Sequence, residues 1–243
     1  MRTEENVIEN NSIIPTPWTP IELGSALVGW WQADRGITLN GSVISEWADQ
    51  SGLGHHLTQA TLAKMPSYLA TGSPTGEPMV VFDGLNNWMA TAAFTLNQPE
   101  HVFFACKHYK PITSEAWEVT GYLCDGIPIN SMAFNITKLD PDTLNTYAGA
   151  SGPTISAPKE TWEVIDALYN GAASKVGLNG GTHVVGDVGS GNASGFTVGS
   201  PGSTADNYQG KFDVVSIILA NRELTSFERA SAVNYFKELV GIV

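Results

Sequence analysis

The chain has 243 residues, with 12 Lys and Arg against 24 Asp and Glu, a formal net charge of −12. No cluster of Lys or Arg interrupts this acidity, which argues against nucleic acid as a partner and against adsorption to an anionic membrane. Hydrophobic residues make up 42% and charged residues 15%. That balance excludes a disordered chain and supplies a sizeable core, and no apolar stretch approaches the roughly 18–20 residues of a membrane span.

Residues 1–20 differ from the rest. They are polar, then carry Pro15, Pro17 and Pro20 around Trp18, a spacing that disfavours helix and sheet interior. They read as an extended arm, with Ile13, Ile14 and Trp18 available to dock on a partner; a free terminus is the alternative. Met1-Arg-Thr-Glu-Glu-Asn has no apolar h-region, so no Sec signal peptide is expected. The Asn-x-Ser/Thr matches at Asn10, Asn40, Asn135 and Asn192 are accordingly read as chance.

From residue 21 to 243 the pattern is β. Short apolar or alternating runs at 27–31, 43–47, 79–82, 101–107, 117–123, 131–137, 162–169, 175–179, 196–199 and 211–220 are bounded by Gly, Asn, Asp or Pro. Turn signals such as Asp83-Gly84, Asp125-Gly126 and Asn179-Gly180 separate them. The Gly/Ser/Asn-rich stretch 186–194 reads as a surface loop. One helix is predicted at the C-terminus: Thr225-Ser-Phe-Glu228 is a capping box, Phe227, Ala230, Val233, Phe236 and Val240 recur at near-helical spacing, and Gly241 closes the end. The fold class is therefore all-β, an antiparallel two-sheet sandwich with a short C-terminal helix and an extended N-terminal arm. Of the two cysteines, Cys106 lies in an apolar run and reads as a buried thiol; whether it pairs with Cys124 is open.

Two segments carry a family pattern. The first is Leu27-Val-Gly-Trp-Trp-Gln-Ala-Asp34 followed by Trp47-Ala-Asp-Gln-Ser-Gly52. The second runs from Phe196-Thr-Val-Gly-Ser200 to Tyr208-Gln-Gly-Lys-Phe-Asp, then Asn221-Arg-Glu-Leu-Thr-Ser-Phe-Glu228. Together they resemble the concanavalin A-like lectin/glucanase superfamily, in its laminin-G-like jelly-roll branch. The resemblance implies a jelly roll and leaves function open. Trp30, Trp31 and Trp47 suit core anchors, Asp49 and Ser51 suit a loop cap before Gly52, and Arg222 suits an ion pair between last strand and helix.

The glucanases of that superfamily carry a Glu-x-Asp-x-x-Glu strand, whose carboxylates straddle the scissile bond. Glu115 and Glu118 lack the central Asp, and Glu160, Glu163 and Asp166 are three apart, so they do not share one strand face. No Gly-x-Ser-x-Gly elbow, zinc spacing or phosphate loop occurs. The sequence reading is therefore of a chain that is not an enzyme. Calcium is possible at either of two oxygen-rich loops, one with Asp83, Asn86 and Asn87, the other with Asp206 and Asn207; turn formation explains the same residues. A glycan would be read by Asn86, Asn87 and Trp88, or by Asn207 and Tyr208.

The function expected first is a non-catalytic attachment or structural module, of the kind a phage virion uses for capsid decoration or in its tail. The arm would hold other virion or cell-surface proteins and the jelly roll would face outward. The alternative is a lectin-like module that binds surface glycans, with or without calcium, extracellular or at a cell surface by a route without a Sec signal. A homo-oligomer is compatible with either.

Overall fold

The structure is a computed structural model and describes residues 17–110, 121–136, 142–202 and 208–243. Among these residues the chain forms antiparallel β-strands and one α-helix. After a 3-10 helix at Pro20–Ala26 come β1 (Leu27–Gln32), β2 (Ile37–Asn40), β3 (Val43–Trp47), β4 (Leu57–Thr58), β5 (Ser67–Leu69), β6 (Met79–Asp83) and β7 (Met89–Ala90). The middle of the chain gives β8 (Glu100–His108), β9 (Gly121–Gly126), β10 (Ala133–Ile136), β11 (Thr143–Tyr147), β12 (Ser151–Ser156) and β13 (Trp162–Tyr169). The last part gives β14 (Ser174–Leu178), β15 (Val184–Gly186), β16 (Phe196–Val198), β17 (Lys211–Ala220) and α1 (Ser226–Val240). No described helix is long and apolar enough to cross a membrane.

Two ladders dominate. One runs β1–β17–β8–β13–β14–β15, the other β4–β7–β16–β9–β10–β11–β12. The sequence reading expects two sheets; by hydrogen bonding the ladders are one network, because β3 pairs with both β4 and β5, and β5 continues through β6 into β17.

Strand alternation explains the core. On β8, Val102, Phe104 and Cys106 point into a cluster that also takes Leu123, Phe134, Ile136 and Phe196 from the other ladder. Trp31 stacks on Phe196 with ring centroids 5.4 Å apart, and Phe82 on Phe212 at 4.6 Å. The intervening residues Phe103 and Ala105 face the opposite way, into a second cluster under α1 with Trp30, Val164, Val233 and Phe236. Both faces of β8 and β17 are thus covered, which is why these strands read as unbroken apolar runs. Cys106 and Cys124 are free, buried thiols.

Local signals fold as their chemistry dictates. Asp49 accepts from the amides of Trp30, Ser51 and His55 at 3.0, 2.8 and 3.0 Å, pinning the turn before Gly52 to β1. Arg222 forks onto Glu228 at 2.9 and 2.6 Å. The capping box is formed: the Thr225 amide donates to Glu228 at 2.8 Å and the Glu228 amide to the Thr225 hydroxyl at 3.3 Å. Thr225→Ala should cost about 1 kcal/mol of stability, read as a drop in the urea midpoint; no change would mean the cap is unimportant here.

The helix stripe differs from the one predicted. Ala232, Val233, Phe236 and Val240 are buried, whereas Phe227 is 76% exposed and Ala230 is exposed too. Phe227 and Ala230 thus lie on the solvent side of the helix. Of the arm expected over residues 1–20, Ile13 and Ile14 lie outside the described residues. Trp18 packs edge-on against Tyr235 of α1, with ring centroids 5.9 Å apart.

Candidate functional site

The strongest candidate is a polar row on the outer face of β9–β12. Register alone assembles it: Tyr122 on β9 lies opposite Asn135 on β10, Asn135 opposite Asn145 on β11, and Asn145 opposite Thr154 on β12. Alternate residues Phe134, Ile136 and Leu144 point the other way, into the core, so one strand period separates core from row. The row floors a cleft of about 380 Å³ that Asn130, Tyr147 and Ser151 also line. This lies within the roughly 300–1,000 Å³ that small-molecule sites occupy. The backbone comes close at Gly152, where a Cβ would sit 2.2 Å from Val188 Cγ1.

The row is held in place from behind. Asp125, fully buried, accepts from the amides of Gly126 and Met132 at 2.7 and 3.1 Å and from the Asn130 amide at 2.6 Å. Burial pushes its carboxyl up to about 6 against the pull of these amides. Asn130, so placed, accepts from the Tyr122 hydroxyl at 2.9 Å. At the centre stands Asn135, 6% exposed, whose Oδ1 has no hydrogen-bond partner. A buried amide oxygen left unpaired costs about 1–3 kcal/mol, and here it is enclosed in the wall of the cleft that the residue lines.

Of the residues singled out in the sequence, Tyr208 reaches this place: its ring, 42% exposed, meets that of Tyr122 edge-on at 6.4 Å. Asn207 and Asp206 lie outside the described residues. Asn86, Asn87 and Trp88 sit on the turn after β6 and do not line the cleft. There Asp83 Oδ1 accepts from the amides of Leu85, Asn86 and Asn87 at 2.8, 3.2 and 3.3 Å, while Asn87 donates to the Met65 carbonyl at 3.1 Å. These contacts account for Asp83 and Asn87 as turn residues. Trp88 is half-buried with its indole nitrogen enclosed. Asn145 and Thr154 carry no motif in the sequence, and Asn135 only an Asn-x-Thr match; the available signal is polar residues alternating with Phe134, Ile136 and Leu144.

A second cluster lies under α1. Asp166 on β13, fully buried, accepts from Arg229 Nε at 2.9 Å and Nη2 at 2.8 Å, and contacts His101 Nε2 at 3.2 Å and His183 Nε2 at 2.5 Å. The Leu224 amide donates to His101 Nδ1 at 3.4 Å, which leaves the ring proton on Nε2, facing Asp166. Burial pushes the Asp166 carboxyl up, but the bonds from His101, His183 and Arg229 outweigh it and hold the group below the usual carboxylate range. Burial likewise pulls His101 down, opposed by Asp166. The two His nitrogens and the carboxylate lie within 4.8 Å of one another, as metal ligands would. Both carboxylate oxygens are engaged by Arg229, however, so a cation would have to displace a guanidinium. The donor set fits a buried ion pair that staples α1 to β13.

No protein-family model matches the sequence, and no curated protein matches it. Solved structures do share its fold. A sialidase from Trypanosoma rangeli, bound covalently to 2,3-difluorosialic acid, aligns with a TM-score of 0.60 at 16% identity, over 92% of this chain and 36% of its own. The chain thus spans about a third of the sialidase chains it matches. Domain 4 of AbnA, a GH43 extracellular arabinanase from Geobacillus stearothermophilus solved with arabinotriose, aligns at 0.53 and 16% identity, over 88% of this chain and 98% of its own. The binding domain of Paraclostridial Mosquitocidal Protein 1 aligns at 0.59 and 11% identity, over 87% and 52%. The sialidases correct the expectation of a chain that is not an enzyme: this fold occurs within enzyme chains. The likeness establishes an all-β fold that also occurs within a sialidase chain and in a domain solved with arabinotriose.

Proposed function

We propose that this chain is a jelly-roll β-sandwich of the concanavalin A-like kind that binds carbohydrate in the cleft over β9–β12. The observation that carries this reading is Asn135: a buried side-chain oxygen without a partner, centred in a row of uncharged hydrogen-bonding residues. Saccharides present closely spaced hydroxyls to such a row. Tyr147, half-buried, and Tyr208, exposed beside Tyr122, offer rings to the apolar face of a sugar. Support also comes from the fold, which occurs in a domain solved with arabinotriose and in sialidases solved with sialic acid. The virion-attachment reading has no comparable observation behind it, since Trp18 packs on this chain's own helix.

Asn135→Leu separates a binding role from a structural one. Leu has a similar volume and removes an unpaired oxygen, so thermal stability should stay level or rise slightly. Affinity for any saccharide the chain binds should fall at least tenfold, the scale of one lost hydrogen bond to a fixed group. Calorimetric titration of wild type and variant reads both quantities. Unchanged affinity would contradict the cleft as the site.

A further inference from the structure

We infer that the cleft selects neutral saccharides and rejects acidic ones, sialic and uronic acids included. This rests on the carbohydrate-binding reading above and sharpens it. The fold neighbours solved with sialic acid would suggest an anionic sugar; the chemistry of the cleft opposes it.

The carboxylate of an acidic sugar is met most strongly by a cation, above all by the planar fork of an arginine. Among the described residues, the lining of this cleft holds Asn, Tyr, Thr, Ser and Gly, and no Lys, Arg or His. A buried acidic group stands behind the row: Asp125, 2.6 Å from the Asn130 amide. The unpaired atom, Asn135 Oδ1, is an acceptor enclosed in the wall, so it adds negative partial charge behind the lining and no donor for a carboxylate. Desolvating an unpaired carboxylate beside buried acceptors is strongly unfavourable. The chain's net charge of −12 adds a long-range repulsion for anionic glycans, strongest at low ionic strength.

Neutral sugars meet none of these obstacles. Their hydroxyls both donate and accept, which matches the amide groups of Asn130, Asn135 and Asn145 and the hydroxyl of Thr154.

The test uses the full chain and matched pairs that differ in charge: lactose against sialyllactose, and galactan fragments against oligogalacturonate, with arabinan, xylan and β-glucan fragments as further neutral probes. Binding is measured by calorimetry for wild type and Asn135→Leu at two salt concentrations. The expected result is binding of at least one neutral probe, at least tenfold weaker or no binding of every acidic one at both salts, and loss of the neutral binding in Asn135→Leu. An acidic probe that binds more tightly than its neutral partner, and is lost in Asn135→Leu, would overturn the charge selection while leaving the cleft as a glycan site. Failure of every probe, or binding indifferent to Asn135→Leu, would overturn the glycan reading of the cleft and this inference with it.

Discussion

Asp166→Asn should cost about 3–5 kcal/mol of stability, the usual result of breaking one side of a buried ion pair. The carboxylate is the shared acceptor for Arg229, His101 and His183. Without its charge the guanidinium is left against the Gly180 and Gly181 carbonyls, and α1 loses its main polar attachment to β13. The sign of the pH dependence follows from the direction of the shift. Asp166 is held below its ordinary value, so the stability it supplies is present above the unfolded pKa of about 3.9 and drains away as pH falls below it. Wild type should therefore lose stability on acidification from pH 4 downwards more steeply than the Asn variant. Urea melts at pH 7 and pH 3 read both effects. A loss under 1 kcal/mol at pH 7 would mean that the cluster is incidental to the fold.

Glu100→Gln should act in the opposite direction. Glu100 begins β8 with its side chain fully buried and both carboxylate oxygens without partners. Burial alone pushes its carboxyl up to about 9. Glu163, 3.8 Å from His108, is pushed to about 8 by burial and then by the charge of Asp142. In the folded chain both acids keep protons that the unfolded chain releases above about pH 4.3. The folded state binds more protons, so stability falls as pH rises from that value towards 8 or 9. Each fully shifted group contributes up to about 4 kcal/mol of that fall between pH 5 and 8. Glu100→Gln removes one share, and its advantage over wild type should grow steadily with pH. Thermal melts at pH 5, 6.5 and 8 measure this; a constant difference between the two proteins would show that Glu100 ionises freely.

The sequence displayed the core more clearly than the site, for a physical reason. β8, β13 and β17 are buried on both faces, so they announce themselves as apolar runs, and the predicted spans lie within two residues of those observed. The capping box at Thr225 and the loop cap at Asp49 were legible because each is a local pattern. The strands that build the cleft were harder to see. β11 and β12 contain Thr143, Asn145, Gly152 and Pro153, residues that read as loop because a sheet covered on one face only needs few apolar side chains. In the sequence Asn135 reads only as part of an Asn-x-Thr match, and its setting depends on cross-strand partners 10 and 13 residues away, Asn145 and Tyr122. Trp88 attracted attention by sitting among turn residues, but the turn after β6 consumes the polar groups beside it.

A crystal structure of the chain soaked with the best neutral oligosaccharide tests the cleft as the binding site most directly. The predicted result is a sugar ring over the Tyr122–Asn135–Asn145–Thr154 row, with one hydroxyl about 2.5–3.2 Å from a polar atom of the Asn135 side chain. Sugar bound at another surface, with the β9–β12 cleft left empty, would contradict it.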